Sequence, residues 1–137
     1  METKTTPQVE QTMYEALEEL MKEKISGGFY ESDCRPADSR EEDAVLTVVY
    51  ASASQIQTGR AKLNIYVPDI DCGSGRPVPD KARIQELSQI DREVIETLNQ
   101  MDTDYLFYLT QGTHSMIDPE TNQHFVNINI GFRTINF

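Results

Sequence analysis

The sequence predicts one α+β domain, a mostly antiparallel sheet with two helices packed on one face. Several short runs alternate apolar with polar residues, which is typical of half-buried strands, and two longer segments repeat apolar residues at helical spacing. The length of 137 residues suits a single domain, 1–137. Helices and strands that each have one apolar face bury those faces against each other, so we expect the order α-β-β-β-α-β-β.

The first helix is predicted to begin at Thr6, with its hydroxyl as N-cap and Pro7 at the first helical position. Residues 1–6 are expected to be flexible. The apolar positions at three- and four-residue spacing are Val9, Met13, Ala16, Leu17, Leu20 and Met21. The glutamates fall between them and indicate a solvated face, and the helix should end near the Ser-Gly-Gly at 26–28.

Three strands are expected before the second helix. Residues from 29 form a short strand or extended piece, and a polar loop follows over 31–43, because Arg35 precedes Pro36. Residues 44–52 are rich in β-branched side chains and predict a second strand. The segment from 60 alternates up to Val67 and predicts a third.

A polar loop over 68–79 leads into a second helix that Asp80 can cap. Its apolar stripe consists of Ile84, Leu87, Ile90, Val94, Ile95 and Leu98. The segments "DYLFYLTQ" and "HFVNINIGFRTIN" predict two last strands, joined by a turn at Asp118-Pro119.

Composition excludes several classes of function. The chain has 23 acidic and 12 basic residues and a net charge of -11, which repels phosphate backbones and argues against sequence-specific nucleic-acid binding. No apolar run approaches the ~20 residues that span a bilayer, so no membrane association is expected. The first residues lack the features of a secretory signal, and the expected location is the cytoplasm.

The loop 68–79 is a candidate phosphate-binding loop, because a strand, a glycine-rich turn and a helix follow one another as in such loops. It lacks Gly-Lys-Ser/Thr, contains prolines, and carries Asp69 and Asp71, which would repel phosphate. These two carboxylates offer a Mg²⁺ site instead, which leaves open a small phosphoryl-transfer or hydrolytic enzyme that also uses His114. A transition-metal set of His114, His124 and Asp118 has irregular spacing. The prediction is that the protein is not an enzyme and has no catalytic residue, cofactor or metal ligand.

The last strand carries the most informative pattern. Apolar residues at 126, 128, 130 and 132 alternate with Asn127, Asn129, Gly131 and Arg133. Solvent faces of strands usually carry Lys, Glu or Thr, which block association. A neutral amide face fits either a partner surface or an ordinary wet face, and we predict self-association through Asn127, Asn129 and Arg133.

Taken together, these segments resemble the small tail-terminator and tail-completion proteins of long-tailed bacteriophages and prophages. The likeness lies in the acidic first helix, "AVLTVVY", "LNIYVPDIDCGSGRPVPD", "KARIQELSQIDREVIETLNQ" and the closing "VNINIGFRTIN", and it covers about Pro7 to Phe137.

The resemblance implies a structural assembly protein without catalytic residues. It would form a homo-oligomeric ring, typically hexameric, that caps the tail tube and contacts head-completion proteins, in the host bacterium's cytoplasm or in the virion. The loop residues Asp69, Asp71 and Arg76 would then lie at a subunit interface or in the lumen. The alternatives are the Mg²⁺-dependent enzyme and a generic oligomeric adaptor.

Overall fold

A computed structural model describes residues 4–54, 56–71, 73 and 75–135. The helices are α1 (Thr6–Lys24), α2 (Lys81–Ser88) and α3 (Asp91–Asn99). The strands are β1 (Phe29–Glu31), β2 (Ala44–Ala51), β3 (Thr58–Val67), β4 (Ile70–Asp71), β5 (Pro77–Val78), β6 (Tyr105–Leu109), β7 (His114–Asp118) and β8 (Gln123–Thr134). The α+β class is confirmed.

The main sheet has the order β1-β2-β3-β8-β6, and β7 also pairs with β8. Every pairing in it is antiparallel except that of β1 with β2, as the sequence predicts for a mostly antiparallel sheet. Strands β6 and β7 occupy successive lengths of the same edge of β8.

One hydrophobic core lies between the helices and one face of the sheet. The central strands supply alternate residues to it, and α1 supplies the stripe expected from its spacing. Fully buried members include Met13, Leu17, Leu46, Leu63, Ile65, Leu98, Ile128, Ile130 and Phe132. The opposite face of the sheet has no helix on it among the described residues.

The N-cap of α1 is Thr5, so the predicted cap at Thr6 is wrong by one residue. The Thr5 hydroxyl accepts from the Gln8 backbone and the Gln8 side chain accepts from the Thr5 backbone, a reciprocal pair that Thr6 could not form with Gln8. Residues 1–3 of the segment expected to be flexible lie outside the described residues. Lys4 is held by the Gln57 amide, which donates to its carbonyl at 2.7 Å.

The predicted second helix is two helices. The break falls at Gln89 and Ile90, where backbone bonds tighten to three-residue spacing, as from the Gln89 amide to the Glu86 carbonyl. The Ser88 hydroxyl donates to the Ile84 carbonyl at 2.7 Å, a local bond that competes with regular helix.

Three strands lie outside the predicted order. Strand β7 occupies 114–118, where the sequence predicts only the approach to a turn. Its side chains are mostly exposed on both sides, so it has no apolar alternation to reveal it. The loop 68–79 contains the two-residue strands β4 and β5, which pair with each other.

Candidate interaction surface

The sheet face opposite the helices, here called the open face, carries the side chains that alternate with the core residues. Its central members are Val45, Thr47 and Tyr50 on β2, Arg60, Lys62, Asn64 and Tyr66 on β3, and Phe125, Asn127, Asn129, Gly131 and Arg133 on β8. Leu106, Tyr108, His114 and Met116 extend it onto the edge strands. The predicted residues Asn127, Asn129 and Arg133 therefore do share one face, away from the core.

A row of large side chains crosses this face at one level of the sheet. In register, Tyr50 lies beside Arg60, Arg60 beside Gly131, and Gly131 beside Tyr108. The two tyrosines are 48% and 39% exposed. A Cβ on Gly131 would lie 2.5 Å from the Tyr108 ring, so the absence of a side chain there lets that ring lie across β8.

The amides form a chain of hydrogen bonds beside this row. The Asn127 amide donates to the Asn64 carbonyl oxygen at 2.7 Å, and the Asn129 amide donates to that of Asn127 at 2.5 Å. Asn127 is only 7% exposed. Its side chain is largely used in orienting Asn64 and Asn129. Of the three residues predicted to contact a partner, Asn129 and Arg133 are therefore the better candidates.

Three cations cluster on the open face. Arg60 lies opposite Gly131, and Arg133 is two residues further along β8, so the two arginines are diagonal neighbours. Lys62 is two residues from Arg60 along β3 and shares the same face. Within the part of the chain that the structure describes, none of them forms an ion pair. A protein of net charge -11 therefore keeps an unneutralised cationic cluster on one face.

Acidic residues are sparse on the same face. None occupies an outward position of β3 or β8, but Asp118, at the end of β7 opposite Gln123, lies at the margin of this face. Four exposed carboxylates lie along the solvent side of α1, at Glu15, Glu18, Glu19 and Glu23, and other exposed acids are spread over the loops, α2 and α3. The cationic cluster and this acidic row of α1 thus lie on opposite sides of the sheet.

The loop 31–43 is fixed at the end of the sheet. Arg35 stacks on the Tyr66 ring at 3.9 Å and donates to the Asp43 carboxylate at 3.0 Å. Burial raises the pKa of Asp43, but hydrogen bonds from Ser39, Gly28 and Arg35 outweigh burial and hold the pKa below its ordinary value.

A second buried acid anchors α2. Glu42, 8% exposed, accepts two hydrogen bonds from Arg83, at 2.7 and 2.8 Å. These bonds raise the pKa of Arg83 despite its partial burial. The Arg35–Asp43 pair holds the loop 31–43 against the sheet, and the Arg83–Glu42 pair holds the same loop against α2. Both pairs therefore have a structural role.

The structure separates the two loop aspartates proposed for Mg²⁺. The Asp69 carboxylate contacts the His124 ring nitrogen at 3.0 Å and lines a cleft of about 300 Å³, whereas the exposed Asp71 accepts from the Gly73 backbone in its own turn. Arg76 is exposed in the same loop.

The histidines do not converge. His114 is opposite Asn127 and His124 is opposite Ile117, so the two rings lie on different faces of the sheet. Across the described ranges, no group of three or more His, Cys, Asp or Glu side chains is placed to hold a metal ion.

The sequence does not predict the cross-strand row. Tyr50 and Tyr108 become members of the face only through strand register. The irregularity in β2 between Val48 and Tyr50 shifts Tyr50 onto the open face, and no alternation rule anticipates that shift.

No protein-family model matches this chain, and neither does any curated protein. Among the described residues, no helix is long and apolar enough to cross a membrane.

Proposed function

We propose that this protein is a structural assembly protein that self-associates through the open face. The resemblance to tail-terminator and tail-completion proteins gives the specific form: a homo-oligomeric ring, hexameric by analogy, that caps a phage or prophage tail tube and joins head-completion proteins. The host cytoplasm and the virion are its proposed locations.

The observation that carries the proposal is the Tyr50–Arg60–Tyr108 row. Tyrosine and arginine are the residue types most enriched, with tryptophan, among side chains that dominate binding free energy at protein interfaces. Here they stand together on a sheet face that no helix of the described chain covers. Such a face is more economically explained as a contact surface than as an ordinary wet surface.

Charge supports the same function. A net charge of -11 would line a ring with repulsion toward DNA, which suits a passage that DNA crosses without sticking. The loop 68–79, with Asp69, Asp71 and Arg76, is proposed to lie at a subunit interface or in the lumen. Its glycines at 73 and 75 have positive φ values of 95° and 81°, a backbone conformation that most other residues rarely adopt.

Light scattering after size exclusion, over a wide range of protein concentration, tests self-association, and negative-stain imaging tests the ring. We expect a mass that is a multiple of the 15.6 kDa chain, and closed rings at the highest concentration. Tyr50→Asp should reduce that mass. Ile117→Asp is the matched control, because Ile117 is 50% exposed but lies on the other side of the sheet. Equal assembly of both variants would show that the open face is not the contact surface.

A further inference from the structure

We propose that the occupant of the open face is the acidic side of α1 in the next copy of this chain. The contact is heterologous: the cationic row of one copy meets the acidic helix of another, and each copy keeps both surfaces. This inference rests on the proposed self-assembly and names the two surfaces that perform it.

An anionic partner would reduce the repulsion between the three cations of the open face. Arg60, Lys62 and Arg133 lie within neighbouring rungs and repel one another, and no described carboxylate pairs with them. Both arginines are exposed, so their guanidinium groups are available for the paired hydrogen bonds that arginine makes to carboxylates.

The acidic side matches this cluster in scale and sign. Glu15, Glu18 and Glu19 lie within about one helical turn, where side chains three and four residues apart are neighbours ~5–6 Å apart, and Glu23 follows one turn on. Lys22 lies among them, and the Lys24 ammonium is 3.9 Å from the Glu23 carboxylate. Within the described part of the chain, Glu15, Glu18 and Glu19 make no ion pair.

A depression of about 430 Å³ lies along this helix, and its charged lining consists of Glu18, Glu19 and Lys22. One wall is aromatic: the Tyr14 and Phe29 rings stack at 4.4 Å between centroids. A carboxylate beside an aromatic surface is chemistry that suits an arginine or tyrosine side chain, because cations are attracted to ring faces. The Arg60 row supplies both residue types.

The two surfaces lie on opposite sides of the molecule, since the buried stripe of α1 faces the sheet and the open face lies beyond it. Contact between unlike surfaces repeats from copy to copy, and it closes as a ring when the rotation between copies allows. A contact of the open face with itself would instead bring two cationic clusters together and stop at a dimer.

Complementary charge-reversal variants test the inference. Arg60→Glu with Arg133→Glu disables the open face, and Glu18→Lys with Glu19→Lys disables the helix. All four residues are exposed, so circular dichroism should show an unchanged fold. Arg92→Glu with Lys81→Glu and Glu96→Lys with Glu120→Lys are the matched controls on exposed sites elsewhere.

Sedimentation velocity should show each disabled variant as a monomer, with affinity lost by roughly 30-fold or more, because truncating or reversing charge at a desolvated pair has effects of that order. An equimolar mixture of the two should assemble again. The unchanged helix of one variant meets the unchanged open face of the other, and the two reversed surfaces are again opposite in charge. The controls should assemble like the wild type.

The role of α1 as occupant and the proposed self-assembly can fail independently. Normal assembly of the Glu18→Lys/Glu19→Lys variant, with loss only in the open-face variant, overturns the helix as occupant but keeps self-assembly. A wild type that is monomeric at every concentration overturns both. Binding of a single-stranded oligonucleotide that depends on Arg60 would instead make the open face a nucleic-acid surface and also overturn the inference.

Discussion

Replacing Asp43 with Asn should strongly destabilise the fold. Asp43 is 1% exposed and accepts hydrogen bonds from the Gly28 backbone at 2.7 Å, the Ser39 hydroxyl at 2.5 Å and the Arg35 guanidinium at 3.0 Å. Asparagine can still accept from the Gly28 backbone, but it places an N–H donor or a neutral oxygen against the Arg35 guanidinium. The largely buried Arg35 is then left without an anionic partner. Breaking a buried pair from one side costs about 3–5 kcal/mol.

That loss is large against a total stability of roughly 7–20 kcal/mol for a chain of this length. Urea unfolding at pH 7 should therefore show a clearly lower midpoint for Asp43→Asn. Asp38→Asn is the matched control, since Asp38 is an exposed acid in the same loop and should change stability by less than about 0.5 kcal/mol.

The pH dependence has a definite sign. The folded pKa of Asp43 lies below its ordinary value of 3.8, so the ionised carboxylate stabilises the fold above that pH. This stabilisation is lost as pH falls through the folded pKa. The difference between wild type and Asp43→Asn should therefore be constant near neutrality and shrink below pH 3.8. A difference within the control's range at pH 7, or one that persists undiminished in acid, would refute the assignment.

Three further predictions concern the open face and the loop. Gly131→Val should lower stability by about 1–3 kcal/mol in urea unfolding and displace the Tyr108 ring, because the new Cβ would lie 2.5 Å from it; a neutral effect would contradict the row. Asp69→Asn should change stability by less than about 1 kcal/mol, since the Asp69–His124 pair is partly exposed on both sides, and a larger loss in thermal unfolding would show that the pair has a structural role. Saturating Mg²⁺ should leave the thermal midpoint equal in wild type and in Asp69→Asn with Asp71→Asn, and a wild-type shift that the double variant lacks would revive the metal-dependent alternative.

The fold class followed from sequence because apolar periodicity reports burial directly. Two examples are the apolar stripe of Val9, Met13 and Leu17 on α1 and the alternation from Leu63 to Val67 on β3. In each, the apolar residues mark the side that packs against the core. The exposed strand β7 has no such record, and its existence depends on pairing with β8.

The candidate surface was only half predictable for the same reason. Asn129 and Arg133 were assigned to one face because they alternate with buried residues on their own strand. Their neighbours Tyr50 and Tyr108 come from β2 and β6, and cross-strand register and the irregularity in β2 determine their positions. The ties of Arg35 to Asp43 and of Arg83 to Glu42 join residues 8 and 41 positions apart, and spacing alone does not identify such pairs.

Hydroxyl-radical footprinting of the dilute and concentrated protein reports directly which side chains assembly covers. Oxidation of Tyr50 and Tyr108 should slow at concentrations where the mass rises, while Ile117, of similar exposure on the other side of the sheet, should keep its rate. Unchanged oxidation of both tyrosines in a protein that has assembled would contradict the assignment of the open face as the contact surface.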